Sequence, residues 1–128
     1  SVTINKKIQK HFSRSFAGGS AQNWSMTGKN FHCNFYMNSL PACALFTEKG
    51  QLIYAITYGA EKNLPSEIRR MLKSEWEDYT ITKATEVKQN NRDIWIVNLK
   101  DGYNHKTVRI EEGEIELVQK FTELPERF

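Results

Sequence analysis

A chain of 128 residues with 39% apolar and 26% charged residues has the balance of a folded globular domain, or of two very small units sharing a core, and not of a disordered tail. Its net charge of +3 is spread out (Lys6, Lys7, Lys10 and Arg14 early, then Arg69, Arg70 and Lys73), each group on the polar side of an apolar helical pattern. That distribution reads as solvated helix faces and argues against a nucleic-acid partner, while no apolar run approaches the roughly 20 residues of a membrane span.

Ile4, Ile8, Phe12 and Phe16 recur at spacing four among basic residues, which predicts an amphipathic helix stopped by Gly18-Gly19. Strand-like runs follow near 21–37, 42–47 and 52–58. Pro65 then opens a second helix, where its missing N–H costs nothing, and Ile68, Leu72 and Trp76 renew the stripe with Met71 beside it. Further strand-like runs lie near 80–88 with 94–100, then 105–111 and 114–121, with turns marked by "MNSLP", "EKG", "KDGYN" and "EEG". Ile8 to Ile68, Phe12 to Leu72 and Phe16 to Trp76 are each 60 positions apart, and Gly50 to Gly113 is 63; the polar "KQNNRD" before Ile94 is the expected place of the three extra residues. The predicted fold class is α+β: two tandem helix-plus-antiparallel-meander (αβββ) repeats, 1–60 and 61–128, forming a sheet with both helices on one face in a single compact domain.

The segments "LPSEIRRMLKSEWEDYTITKATEV", "IWIVNLKDG" and "VRIEEGEIELV" together resemble the PepSY-like domains of secreted and periplasmic Bacteroidetes proteins. In those domains an LP-led helix precedes a Y-x-I strand, a Y-x-V-x-L strand and a D-x-x-G-type turn. Here Trp95 stands at the usual aromatic and Glu111-Glu112-Gly113 replaces the aspartate-led turn. The match runs from about Ile4 to Leu117, and its motifs are structural rather than catalytic. In architecture the arrangement is also similar to the β-lactamase inhibitory protein, which binds a partner on its open sheet. These resemblances imply a periplasmic or secreted protein made with a signal peptide. The start at Ser1 without methionine fits a cleaved signal peptide and an expression remnant equally.

Alternation assigns a helix-facing and an outer set to each strand. Ile115 and Leu117 alternate with Glu114 and Glu116, so the charged pair is outer. Carried back by 63 positions, this makes Leu52, Tyr54, Ile56 and Tyr58 inner, and Val108, Ile110, Trp95, Val97, Leu99, Phe31, Cys33 and Phe35 join them. The outer set then includes His32, Asn34, Tyr36, Ala44, Phe46, Ile53, Ala55 and Thr57, with Ile94, Ile96 and Asn98 in the second half. Tyr36, Phe46, Ile53, Ile94 and Ile96 are too apolar for a plain solvated face and are the candidate partner-binding residues. The expected core is Phe12, Leu72, Trp76, Val97, Val108, Ile110, Ile115 and Leu117.

No catalytic, cofactor-binding or metal site emerges. Cys33 and Cys43, the two cysteines, both fall on the predicted inner face, where a cross-strand disulfide and two buried free thiols are the alternatives, the thiols favoured. His11, His32 and His105 lack metal-ligand spacing, "EEGEIE" lacks a calcium-loop pattern, and Gly18-Gly19 is followed by no phosphate-loop lysine. The function expected is a non-enzymatic binding module without a cofactor. It engages a protein or peptide, a peptidase by the family's associations, through the open sheet face, with a homodimer as another use of that face. The alternative is a small-ligand or envelope-sensing domain with a cavity between sheet and helices.

Overall fold

The computed structural model describes residues 1–125. Helix α1 (Lys6–Ser15) starts where the Asn5 side-chain oxygen accepts from the Ile8 amide at 2.9 Å, satisfying one of the four amides a helix start leaves open. It closes when the Phe16 amide donates to the Phe12 carbonyl, two residues before Gly18 takes a left-handed φ of +87°. Helix α2 (Ser66–Glu75) follows Pro65, with Glu67 in its first turn and Lys73 in its last, each sign suited to the helix dipole.

Eight strands accompany the helices: β1 (Ser20–Thr27), β2 (Asn30–Met37), β3 (Leu40–Phe46), β4 (Leu52–Gly59), β5 (Thr80–Gln89), β6 (Arg92–Asp101), β7 (Asn104–Glu111) and β8 (Glu114–Thr122). They form one sheet in chain order, β1 to β8, with antiparallel neighbours. This overturns the expected pair of αβββ repeats: the sheet is single and eight-stranded. The run 21–37 is two strands, because Gly28, at φ +61°, starts a two-residue turn between Thr27 and Asn30. The later run is divided the same way by Asn90-Asn91, both at positive φ (49° and 64°).

The chain divides into two compact units, residues Ser1–Tyr58 with Val87–Arg92, and Gly59–Glu86 with Asp93–Phe128. In the first, α1 lays Ile8 and Phe12 on Trp24 of β1, Cys33 and Phe35 of β2, Ala42, Ala44 and Phe46 of β3, and Ala55 of β4. The three alanines leave room for rings: Phe12 meets Phe35 edge-on at 4.9 Å and Trp24 at 5.6 Å. In the second, Leu72 packs with Ile81, Trp95, Val97, Leu99, Val108 and Ile110. Of the expected core, Phe12, Leu72, Val97, Val108 and Ile110 are buried, while Trp76 and Ile115 pack from the margin. Leu117 is 43% exposed, a correction that follows from its place on β8, the last strand of the sheet.

The two glycine turns that look alike in sequence differ in structure. Glu112-Gly113 is a two-residue hairpin loop at φ 50° and 77°, the positive pair that a type I′ turn needs. Gly50 instead belongs to the five residues, 47–51, between β3 and β4, held by Thr47 through its backbone and hydroxyl. A Cβ on Gly50 would stand 2.4 Å from the His11 ring, so this glycine permits close approach of α1 to the loop.

Candidate functional surface

The faces of the first unit follow from strand register. Phe31–Phe46, Cys33–Ala44 and Phe35–Ala42 pair across β2 and β3, and these residues are the ones packed under α1. The intervening pairs, His32–Leu45, Asn34–Cys43 and Tyr36–Pro41, therefore point away from the helix. Between β3 and β4 the same side continues with Leu45–Tyr54 and Cys43–Ile56. On β1 it takes in Asn23 and Ser25, partners of Asn34 and His32. Tyr58, two residues beyond Ile56, is on this side too, its hydroxyl 3.9 Å from the Cys43 sulfur.

The face that α1 leaves uncovered thus holds Tyr36, Tyr54, Tyr58, Leu45, Ile56 and Pro41, set among His32, two asparagines and a serine. From Asn23 to Tyr58 it carries no Lys, Arg, Asp or Glu, in a chain where 26% of residues are charged. Tyr36 is 48% and Tyr58 38% exposed; Tyr54, Leu45 and Ile56 are half-buried. Burial, then the bond to Cys43, push the Tyr58 hydroxyl above the usual tyrosine range, so it stays neutral at ordinary pH. A neutral surface of rigid aromatic rings flanked by amide and hydroxyl groups has the composition of a recognition surface.

Each residue expected to bind a partner has a definite place. Tyr36 is exposed on the uncovered face, as its alternation implies. Phe46 is fully buried under α1, against Phe12 and Trp24, and its assignment to an outer patch is corrected. Ile53 is the extra residue of a bulge: Leu45 pairs with Tyr54 and Phe46 with Leu52, leaving Ile53 without an opposite number. Ile94 and Ile96 belong to the second unit, paired with Glu111 and Arg109 on the side away from its core, with Ile94 buried and Ile96 half-buried. The Arg109 guanidinium is held by Glu111 at 2.6 Å. Within the first unit, then, Tyr36 is joined by Tyr54, Tyr58, Leu45 and Ile56, which the sequence reading placed inside or passed over.

The loop before β4 is the reason. The parity of β4 follows from that of β8 only if Gly50 matches Gly113, but Gly113 ends a two-residue turn and Gly50 sits in a five-residue loop beside a bulge. One residue of slip exchanges the faces of a strand. A signal was present: Ala42, Ala44 and Ala55 share one side, and small residues suit the side on which a helix rich in phenylalanine presses.

Cys33 and Cys43 lie on opposite faces, Cys33 under α1 and Cys43 among the tyrosines, and both are free thiols. Their expected common inner face is likewise corrected. Burial pushes the Cys33 thiol up to about 11, against a weaker lowering by the Asn23 backbone, which keeps it protonated and poorly nucleophilic. Among the described residues no cluster of three or more His, Cys, Asp or Glu is placed to hold a metal ion. No described helix is long and apolar enough to cross a membrane. The space between α1 and its strands is filled by the rings of Phe12, Phe35, Phe46 and Trp24, so the cavity of the small-ligand alternative finds no support there.

No protein-family profile matches the chain, and no curated protein sequence does either. Solved structures do share its fold. A BLIP-like protein from Bacteroides fragilis superposes with a TM-score of 0.71 at 13% identity, over 100% of this chain and 94% of the other. A DUF2874 family protein from Bacteroides ovatus gives 0.69 at 16% identity, over 95% and 89%. A candidate periplasmic protein from Bacteroides eggerthii gives 0.67 at 13%, over 94% and 90%. The fold is BLIP-like, which agrees with the expected architectural similarity to the β-lactamase inhibitory protein; the PepSY-like label receives no support from these structures.

Proposed function

We propose that the protein is a non-enzymatic binding module of the periplasm or the cell exterior that engages a protein or peptide partner. The contact surface is the face of the first unit that α1 leaves uncovered. The observation that carries this reading is the uncharged, tyrosine-bearing face of Tyr36, Tyr54, Tyr58, Leu45 and Ile56. A solvated sheet face would alternate apolar with charged residues, as β8 does with Glu114 and Glu116; this one spends no residue on charge. Tyrosines offer large contact area for two side-chain torsions each, so ordering them on binding costs little.

Two further observations support the class. The structures that share the fold include a BLIP-like and a candidate periplasmic protein. The buried thiol under α1, protonated at ordinary pH, has no chemistry to offer a substrate. A peptidase is the partner that the sequence resemblance suggests, and it is the first to test. Immobilised protein, exposed to periplasmic extract beside a Tyr36→Asp/Tyr54→Asp variant of equal thermal stability, gives the test. The proposal expects a protein retained by the wild type and lost by the variant. Identical retention by both would remove the face from the account.

A further inference from the structure

On the second unit, two lysines face each other without a counter-charge. Lys106 of β7 and Lys120 of β8 are direct cross-strand partners. Lys106 is also the partner of Leu99, a core residue, so its side chain leaves the sheet on the side where α2 packs. There its ammonium lies 5.4 Å from the centre of the Tyr79 ring. A third lysine, Lys73 from the last turn of α2, donates to the Tyr79 carbonyl at 3.4 Å. Two ammonium groups, from α2 and β7, thus lie against Tyr79, and Lys120 borders the same hollow.

Like charges directly opposite in a sheet destabilise it, and the Tyr79 ring beside Lys106 attracts that ammonium without neutralising its charge. Among the described residues no carboxylate forms an ion pair with Lys106 or Lys120. Glu123, just beyond β8, is occupied by His105. Glu77 and Asp78, in the loop leading to Tyr79, are exposed and reach neither ammonium. An open hollow of about 440 Å³ lies over the pair, bordered by Tyr79, Asn104, Lys106, Lys120 and Thr122 and by the stacked rings of His105 and Phe121. Thr122 donates to the Asn104 side-chain oxygen at 2.8 Å, which leaves the Asn104 amide hydrogens as donors at the rim.

We infer that this hollow binds a phosphate group. Two opposed ammoniums and an amide donor suit a compact dianion with several acceptor oxygens, and a bound dianion would remove the repulsion that the free protein carries. Either inorganic phosphate or the phosphate of a lipid headgroup presents this chemistry. The site belongs to the second unit alone and does not depend on the tyrosine face.

The test is a titration of the whole chain with inorganic phosphate at constant ionic strength, followed by backbone amide NMR shifts and by melting temperature. The same measurement with vesicles containing phosphatidate distinguishes the lipid source. Saturable shifts should centre on residues 104–106 and 120–122, and phosphate should raise the melting temperature. Lys120→Gln and Lys106→Gln should each weaken apparent affinity by about tenfold or more, the loss of one charge-assisted contact. A second readout has the opposite sign: without phosphate, Lys120→Gln should melt higher than wild type, because the repulsion is gone. Phosphate raises the stability of many proteins by exclusion from their surfaces, so a gain equal in wild type and in Lys120→Gln overturns the inference. Shifts that do not saturate, or that spread evenly over the other lysines, overturn it as well. Saturation by vesicles but not by free phosphate would assign the site to a lipid headgroup.

Discussion

Replacing Phe46 with alanine tests the face assignment on which the functional reading rests. The side chain is fully buried, with ring centres 5.9 Å from Trp24 and 6.4 Å from both Phe12 and Phe16. Truncation removes the whole ring from a site walled by other rings and by Ala44, which cannot swing in to fill it. The cost of such a Phe→Ala change is about 3–5 kcal/mol, the sum of lost transfer energy and the residual cavity. Against a urea dependence of about 1–3 kcal/mol per molar, the unfolding midpoint should fall by roughly 2 M. Trp24, in contact with the same ring, makes fluorescence a local reporter of this core once Trp76 and Trp95 of the second unit are replaced by phenylalanine. Tyr36→Ala, on the opposite face and 48% exposed, should cost no more than about 0.5 kcal/mol. If Phe46→Ala instead costs less than about 1 kcal/mol while Tyr36→Ala is severe, the faces are reversed and the tyrosine surface is core.

Three further outcomes follow from particular positions. Leu72→Ala should cost about 2–5 kcal/mol, whereas Leu117→Ala, on the uncovered last strand β8, should stay within about 1 kcal/mol; equal midpoint shifts in urea would contradict the burial of one and exposure of the other. Gly50→Ala should destabilise more than Gly113→Ala, because both carry positive φ but only Gly50 would drive a Cβ into His11; His11→Ala should recover part of the difference in melting temperature. Because Cys33 ionises near 11 in the fold and near 9 when unfolded, its contribution is intact below about pH 9. That contribution is lost as pH rises through 11, to a total of about 2–3 kcal/mol. Comparing wild type with Cys33→Ala by urea unfolding at about pH 8 and 11 should show the wild type losing ground at the higher pH, and parallel curves would refute it.

Sequence legibility tracked the range of the physics involved. The helix stripes were readable because their period is local: Ile8 and Phe12, and Leu72, go to the core as the spacing of four implies. Alternation within one strand was equally safe, since Phe31, Cys33 and Phe35 of β2, and Trp95, Val97 and Leu99 of β6, all face their helix. Errors arose wherever parity had to cross a loop. The bulge at Leu45–Phe46 and the five residues after it reversed β3 and β4, which sent Phe46 outward and drew Tyr54 inward on paper. Thr27-Gly28-Lys29 hid a strand boundary because a single glycine in a polar run is weak punctuation. Leu117 misled for another reason: pattern shows which way a residue points, but only the sheet order shows that nothing covers the last strand.

The partner-binding claim is tested most directly by calorimetric titration of the retained partner into wild type and into the Tyr54→Asp variant, both shown folded by their melting curves. Tyr54 lies opposite Leu45 at the middle of the uncovered face, away from the α1 core. Affinity should fall by about a hundredfold or more, the size of a central aromatic hot spot, with the melting temperature little changed. An unaltered affinity in a folded Tyr54→Asp protein would contradict it.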